Sequence, residues 1–285
     1  MADQAEALRQ KLSVKAGMAK VYGVVSGKGG VGKSNVSANL AISLSKGGKR
    51  VLVFDLDIGM GNVDLLLGKP SAKSIMDLLE HGCQIWDIIE EDKSGISHIA
   101  GGRHFASLVN LNGAMMDAFF NQLSEAEAVY DYIILDMGAG ITEWSLSFIL
   151  CCDEILTVTT PEITSVTDAY SMIKHIHANS PSLPVSLIIN RYESYKEGRA
   201  AAAKLLEVAQ RFLQKKLNVA GMIPYDTNVK ESVKRQVPFV LYNPQSPAST
   251  AVKELAGCLS GERYQEKRTS SSSFFGRVKV FFKGR

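Results

Sequence analysis

Gly27-Lys28-Gly29-Gly30-Val31-Gly32-Lys33-Ser34 is the stretch on which the reading of this chain turns. An apolar run, residues 21–25, precedes it, and a helical pattern with Val36, Leu40 and Leu44 on one face follows. Strand, glycine loop and helix in that order are the context a phosphate-binding loop requires, and the spacing G-x-x-x-x-G-K-S fits throughout. Glycines let the backbone turn tightly enough for its N–H groups to point at phosphate oxygens. The helix N-terminus behind them adds partial positive charge. Lys33 is expected to reach the outer phosphates, the Ser34 hydroxyl to hold Mg²⁺, and Asn35 to belong to the nucleotide-binding set.

Outward from this loop, strand and helix patterns alternate. Strands are expected near residues 21–25, 50–55, 96–100, 132–136, 154–159, 184–190 and 219–223, most of them continuously apolar. Runs of that kind suit a parallel sheet buried on both faces. Helical patterns at 35–45, 74–80, 114–129, 142–150, 165–178, 197–216, 228–235 and 246–259 lie around them, which predicts an α/β layered domain over residues 20–260.

Three strand ends carry carboxylates or amides where such folds place ligands. Tyr132-Ile133-Ile134-Leu135-Asp136 ends in a carboxylate suited to the Mg²⁺ shell, and Met137-Gly138-Ala139-Gly140 follows as a backbone able to sense a γ-phosphate. Asp55 and Asp57 point to the same side of an extended segment. One suits the metal shell, the other the orientation of a water. Asn190, followed by Arg191, can offer paired hydrogen bonds to a purine edge or close a turn. Pro224, Tyr225 and Asp226 follow the last strand and are placed to close over a base.

With 285 residues, 46% apolar and 21% charged, the chain has an ordinary globular balance. Cys83, Cys151, Cys152 and Cys258 form no C-x-x-C pair and read as reduced core residues. The five histidines show no metal spacing and read as structural or surface residues. There is no signal-peptide pattern and no eighteen-residue apolar run, so a cytoplasmic location is expected.

The net charge of +3 conceals an asymmetry: residues 261–285 hold seven basic and two acidic side chains, leaving the remainder slightly acidic. That acidic body argues against specific nucleic-acid binding, and the basic tail asks for an acidic surface. Ser270–Ser273 reads as part of a polar linker over residues 261–273. Beyond it Phe274, Phe275, Val278, Phe281 and Phe282 fall on one helical face, though Val278, Val280 and Phe282 also alternate as a strand would. At roughly 1.5–3 kcal/mol per buried apolar side chain, about 1 kcal/mol per basic residue at an anionic leaflet and about 1–2 kcal/mol per ordered residue, one such tail is close to break-even on a membrane. Two tails on a dimer bind much better. At the other end, residues 2–13 read as a short helix capped by Asp3, with Ala5, Leu8 and Leu12 on one face, too narrow to stand alone.

Taken together, the motifs resemble those of the MinD/ParA group of ATPases, whose deviant phosphate loop K-G-G-x-G-K-[ST] is matched from Lys28 to Ser34. The resemblance covers residues 20–260 and implies ATP and Mg²⁺ as ligands. It implies that Lys28 reaches across an ATP-sandwich homodimer to the partner's nucleotide. It also implies that Lys33 binds phosphate, Ser34 binds Mg²⁺, Asp57 orients the attacking water, Asp55 and Asp136 serve the metal network, and Asn190 contacts adenine. Residues 274–285 look like the group's membrane-targeting segment, docking on the anionic inner membrane surface. Within the group, the segments KSNVSANL (33–40) and DIGMGNVDLLLG (57–68) and the opening Asp3-Gln4-Ala5-Glu6-Ala7-Leu8-Arg9 resemble the flagellar-placement branch, FlhG (also FleN or YlxH). In that branch the opening segment activates the signal-recognition-type GTPase FlhF, so residues 1–19 are expected to be a GTPase-activating helix, and contact with flagellar switch-complex proteins is implied. Two departures stand out: Asn35 replaces a usual hydroxyl residue, and Met137 to Gly140 lacks a usual proline. The rival readings are a MinD-like division-site ATPase and a ParA-like DNA-partition protein. A nitrogenase-reductase-like redox protein is set aside because residues 137–142 contain no cysteine.

Overall fold

The computed structural model describes residues 18–57, 61, 63–80, 82–101, 113–261 and 273–283. The expected helix at 2–13, most of the linker at 261–273, His81, His104 and part of the segment after Asp57 lie outside the described residues.

The described residues begin with β1 (Lys20–Val25), α1 (Lys33–Lys46), β2 (Val51–Leu56), α2 (Val63–Leu66), α3 (Ile75–Glu80), α4 (Ile85–Ile88), β3 (Glu90–Glu91) and β4 (Ser97–Ile99). They continue through α5 (Gly113–Glu127), β5 (Tyr132–Met137), α6 (Glu143–Cys151), β6 (Glu154–Thr159), α7 (Ile163–Asn179) and β7 (Val185–Tyr192). Then come α8 (Tyr195–Leu213), β8 (Asn218–Pro224), α9 (Thr227–Lys234), α10 (Phe239–Tyr242), α11 (Pro247–Ser260) and α12 (Phe274–Lys283). The eight strands form one sheet in the order β3-β4-β2-β5-β1-β6-β7-β8, parallel except for the β3–β4 pair. The expected fold class, a mostly parallel sheet flanked by helices, is the one observed.

Period-two alternation divides the core in two. Tyr22, Val24, Val53 and Ile134 pack with α1 and α11 on one face. Val21, Val25, Phe54, Ile133 and Leu135 pack with α5, α6, α7 and α8 on the other. Because the central strands are covered on both sides, β1, β2, β5 and β6 read as apolar runs. They end together at one edge of the sheet, which brings the loop after β1 beside Asp55 on β2 and Asp136 on β5; these two aspartates are register partners.

Two expectations change. Cys258 is exposed rather than in the core, and Cys83 is half-buried; all four cysteines are free. The larger change concerns the tail. Residues 274–283 are helical, as the spacing predicts, and not a strand. They are not a separate segment, however: α12 packs on α5 and α6. Phe274, Phe275 and Val278 are completely buried in the same core that holds Phe54. Phe282 meets Phe120, Trp144 and Phe148 at ring-centroid distances of 5.9, 4.8 and 6.3 Å. The face expected to lie on lipid is turned inward because the body supplies a groove of aromatic side chains as apolar as a bilayer.

Candidate nucleotide site

Gly30 and Gly32 hold left-handed backbone, φ 79° and 93°, which a residue with a Cβ rarely adopts. Gly32 is also crowded: a Cβ there would stand 2.5 Å from Asn190 Nδ2. The Gly32 carbonyl accepts the N–H of Val36 and starts α1. Gly27 has a packing reason instead, since a Cβ would meet the Asp168 carbonyl oxygen of α7 at 2.1 Å. Gly29, Gly30, Gly32, Lys33, Ser34 and Asn35 line a cavity of about 520 Å³ together with Asp57 and Arg191. Val31 is buried beneath it.

At the floor of this cavity Lys33 Nζ donates to Asp136 Oδ1 at 3.0 Å and lies 3.8 Å from Asp57 Oδ2. The Ser37 hydroxyl donates to the same Asp136 oxygen at 2.8 Å. Asp55 takes a different part. Its Oδ1 accepts the N–H of Asp57 at 3.0 Å and its Oδ2 that of Val63 at 3.1 Å, so it holds the chain segment that leads into α2. Burial first, and the neighbouring Asp136 charge second, push the Asp55 carboxyl up to about 7.

The residues fit Mg²⁺. Asp136 Oδ2 is buried with no hydrogen-bond partner among the described residues. A buried carboxylate oxygen without a donor is costly unless a cation or its water faces it. The oxygens of Ser34, Asp136 and Asp57 make the hard donor set that Mg²⁺ prefers. Ser34 and Asp136 would hold the ion, with Asp55 behind them. Bound with a nucleotide, it would neutralise phosphate charge.

Lys28 is not at this floor. Its Nζ lies 3.2 Å from Glu162 Oε2 and 3.3 Å from Thr164 Oγ1, at the start of α7, and its side chain is not among those lining the cavity. A second cavity of about 470 Å³ adjoins the first and is lined by Asn190, Arg191, Pro224, Tyr225, Asp226 and Phe239, among others. It has the size and mixed lining of a base site. Asp226 also caps α9, accepting the N–H of Asn228 at 2.9 Å, and takes the N–H of Ala248 at 3.1 Å. Asn190 Nδ2 donates to the Val31 carbonyl at 2.8 Å, so one of its donors serves the phosphate loop.

Of the site residues expected from sequence, Gly29, Gly30, Gly32, Lys33, Ser34, Asn35, Asp57, Asn190, Arg191, Pro224, Tyr225 and Asp226 line one cavity or the other, whereas the Lys28 side chain points away from both. Sequence reading missed Ser37 and Glu162. A serine one turn after Lys33 on a buried helix face was a signal for the first. Glu162 carried no signal, since its importance rests on where Lys28 points.

Fold and site define a P-loop nucleoside triphosphatase with a second lysine at the head of its loop. The chain belongs to the MinD/ParA family of ATPases, in the group that includes FleN and YlxH. A family model described as ParA: NUBPL iron-transfer P-loop NTPase matches residues 17–260. The chain is 35% identical to the antiactivator FleN of Pseudomonas aeruginosa, over 83% of this chain and 85% of that protein. It is 36% identical to the flagellum site-determining protein YlxH of Helicobacter pylori, over 85% and 82%. Among solved structures it is similar to the MinD cell division protein of Aquifex aeolicus, at TM-score 0.69 and 27% identity over 86% of this chain and 98% of that one. The septum site-determining protein MinD of Pyrococcus horikoshii, complexed with Mg-ADP, gives TM-score 0.70 and 25% identity over 88% of this chain and 100% of that one. The chain is an ATPase.

Proposed function

We propose that this ATPase is a nucleotide-driven switch governing flagellar number and placement. ATP closes a homodimer, the dimer docks on the anionic inner membrane surface through residues 274–285, and hydrolysis reverses both. The observation that carries the reading is the aim of Lys28. It belongs to the phosphate loop by sequence, yet its ammonium group is bonded to Glu162 and Thr164 outside the cavity that loop forms. A lysine so placed serves a nucleotide on another subunit better than its own. Supporting the flagellar assignment are the relatives' names, antiactivator FleN and flagellum site-determining protein YlxH.

In this account Lys33 turns from Asp136 to the phosphates, and the freed carboxylate would be one of the groups that hold Mg²⁺. Asp57, at the cavity wall, orients the attacking water. Developing charge on the transferred phosphoryl group is met by loop N–H groups, Lys33 and the partner's Lys28. The buried face of α12 adds a requirement: the helix must leave its groove before it reaches lipid. The segment from Asp3 to Arg9 stimulates the GTPase FlhF, and flagellar switch-complex proteins bind the assembled switch. The acidic body makes DNA partition a poor alternative, and division-site placement leaves that opening segment without a role.

Gel filtration with ADP and with a non-hydrolysable ATP analogue, with and without anionic liposomes, tests the switch. Dimer and liposome binding with the analogue alone is the expected result; identical behaviour with both nucleotides would refute it. A peptide of residues 1–17 added to FlhF should raise GTP hydrolysis, and no stimulation would return the chain to the division-site reading.

A further inference from the structure

Strand β7 ends in a distortion that touches both cavities. Its pairing with β8 slips between Asn190 and Tyr192, and the residue between them, Arg191, holds left-handed backbone at φ 58°. Left-handed backbone is uncommon for a residue with a long side chain and persists only where surrounding contacts impose it. Here they do. Arg191 Nη1 donates to the Gly30 carbonyl at 2.9 Å, its own N–H donates to Asn190 Oδ1 at 3.0 Å, and Asn190 Nδ2 donates to the Val31 carbonyl at 2.8 Å. Two consecutive carbonyls of the phosphate loop are therefore held by two consecutive side chains of β7. On the other side, the Tyr192 carbonyl accepts the N–H of Tyr225 at 2.8 Å, tying the wall of the base cavity to the same distortion. Arg191 lines both cavities.

We propose that Arg191 is a positioning residue that transmits filling of the base cavity to the phosphate loop. A base packed against the stem of Arg191 and against Tyr225 stiffens the distortion, which fixes the guanidinium on the Gly30 carbonyl. The Gly30 and Gly32 N–H groups are then held facing the phosphates. Preorganised loops bind more tightly because less freedom is lost on binding. The ligand class is a base-bearing nucleoside triphosphate, and the advantage it holds over a bare polyphosphate chain runs in part through this one side chain. The inference rests on the nucleotide-site reading above.

The test uses the full chain with Arg191→Gly and Arg191→Asn, both compatible with left-handed backbone. The measurements are Kd for MgATP and for Mg-tripolyphosphate, KM and kcat for ATP, and melting temperature without ligand. The expected result is an ATP advantage over tripolyphosphate that shrinks by about tenfold, the scale of one lost charge-assisted hydrogen bond. KM should rise more than kcat falls, and the melting temperature should hold or rise because strain is relieved. Arg191→Lys keeps the charge without the fork and should restore little. Equal weakening of both ligands would make Arg191 a plain phosphate contact and overturn the proposal. A lowered melting temperature with an unchanged ligand ratio would make it a fold contact and overturn it too. Lys33→Ala serves as the separate control: if it retains ATP binding, the nucleotide-site reading itself fails.

Discussion

The carboxylate of Glu127, at the end of α5, accepts the backbone N–H groups of Phe274 and Phe275 at 2.8 and 3.2 Å. One helix thus caps the first turn of another 147 residues away in sequence. Further along α12, Arg277 donates to the Cys151 carbonyl at 2.8 Å, and Lys279 Nζ lies 3.0 Å from Asp117. Basic residues that suit an anionic leaflet are held by acidic and carbonyl groups of the body. In the proposed membrane cycle, groove and membrane would therefore compete for both faces of the same helix.

Weakening the cap should shift that competition. Glu127→Ala removes both acceptors from the two N–H groups and costs about 1–2 kcal/mol of docking. Sedimentation with anionic vesicles in the ADP state should rise about fivefold or more. Unchanged sedimentation would show that the cap does not hold the helix.

The same contact gives a pH dependence. Burial pushes the Glu127 carboxyl above its ordinary 4.5, against the pull of the two N–H groups and Arg277. A raised pKa in the docked state means that Glu127 binds its proton more tightly when α12 is docked than when it is released. The contribution is full below pH 4.5 and is lost as pH rises through the raised value. Hydrogen exchange over residues 274–283 should accelerate on raising the pH through that window, after correction for intrinsic exchange, and Glu127→Gln should flatten the response. A flat wild-type profile would remove Glu127 from the linkage.

Deleting residues 274–285 should abolish vesicle binding while sparing ATP hydrolysis, but at a cost the sequence did not announce. The groove lined by Phe120, Trp144 and Phe148 loses its cover. Phe275→Ala alone should weaken docking by about 3 kcal/mol. The truncated chain should melt at a lower temperature and bind hydrophobic dye. An unchanged melting temperature and no dye binding would mean that α12 adds nothing to the fold.

Lys28 and Glu162 offer a milder test. The pair is exposed, so its worth lies at the low end of ion-pair energies. Glu162→Gln should raise the dimer fraction at limiting ATP by about twofold to fivefold, read by light scattering. A lower dimer fraction would assign Glu162 to the dimer contact itself.

What the sequence disclosed and what it did not divide along physical lines. The phosphate loop, the strand ends at Asp55, Asp136 and Asn190, and the doubly covered sheet were legible because local spacing dictates them. Short elements such as α2, α4, α10 and β3 were missed, since four residues or fewer carry too little periodicity to register. Asp55 was placed with the metal, whereas both of its oxygens accept N–H groups of the segment leading into α2; sequence names a carboxylate but not its partners. The period of α12 was visible, yet periodicity shows only that a helix has an apolar face. Which surface covers that face depends on α5 and α6, more than a hundred residues away.

The central claim is that ATP, through Lys28 and Asp57, makes two chains into one switch. Light scattering of the Asp57→Ala variant with ATP and with ADP tests it most directly. The account predicts a lasting dimer with ATP, a monomer with ADP, and turnover reduced by at least about a hundredfold. A monomer under both conditions, with turnover like that of the unaltered chain, would contradict it.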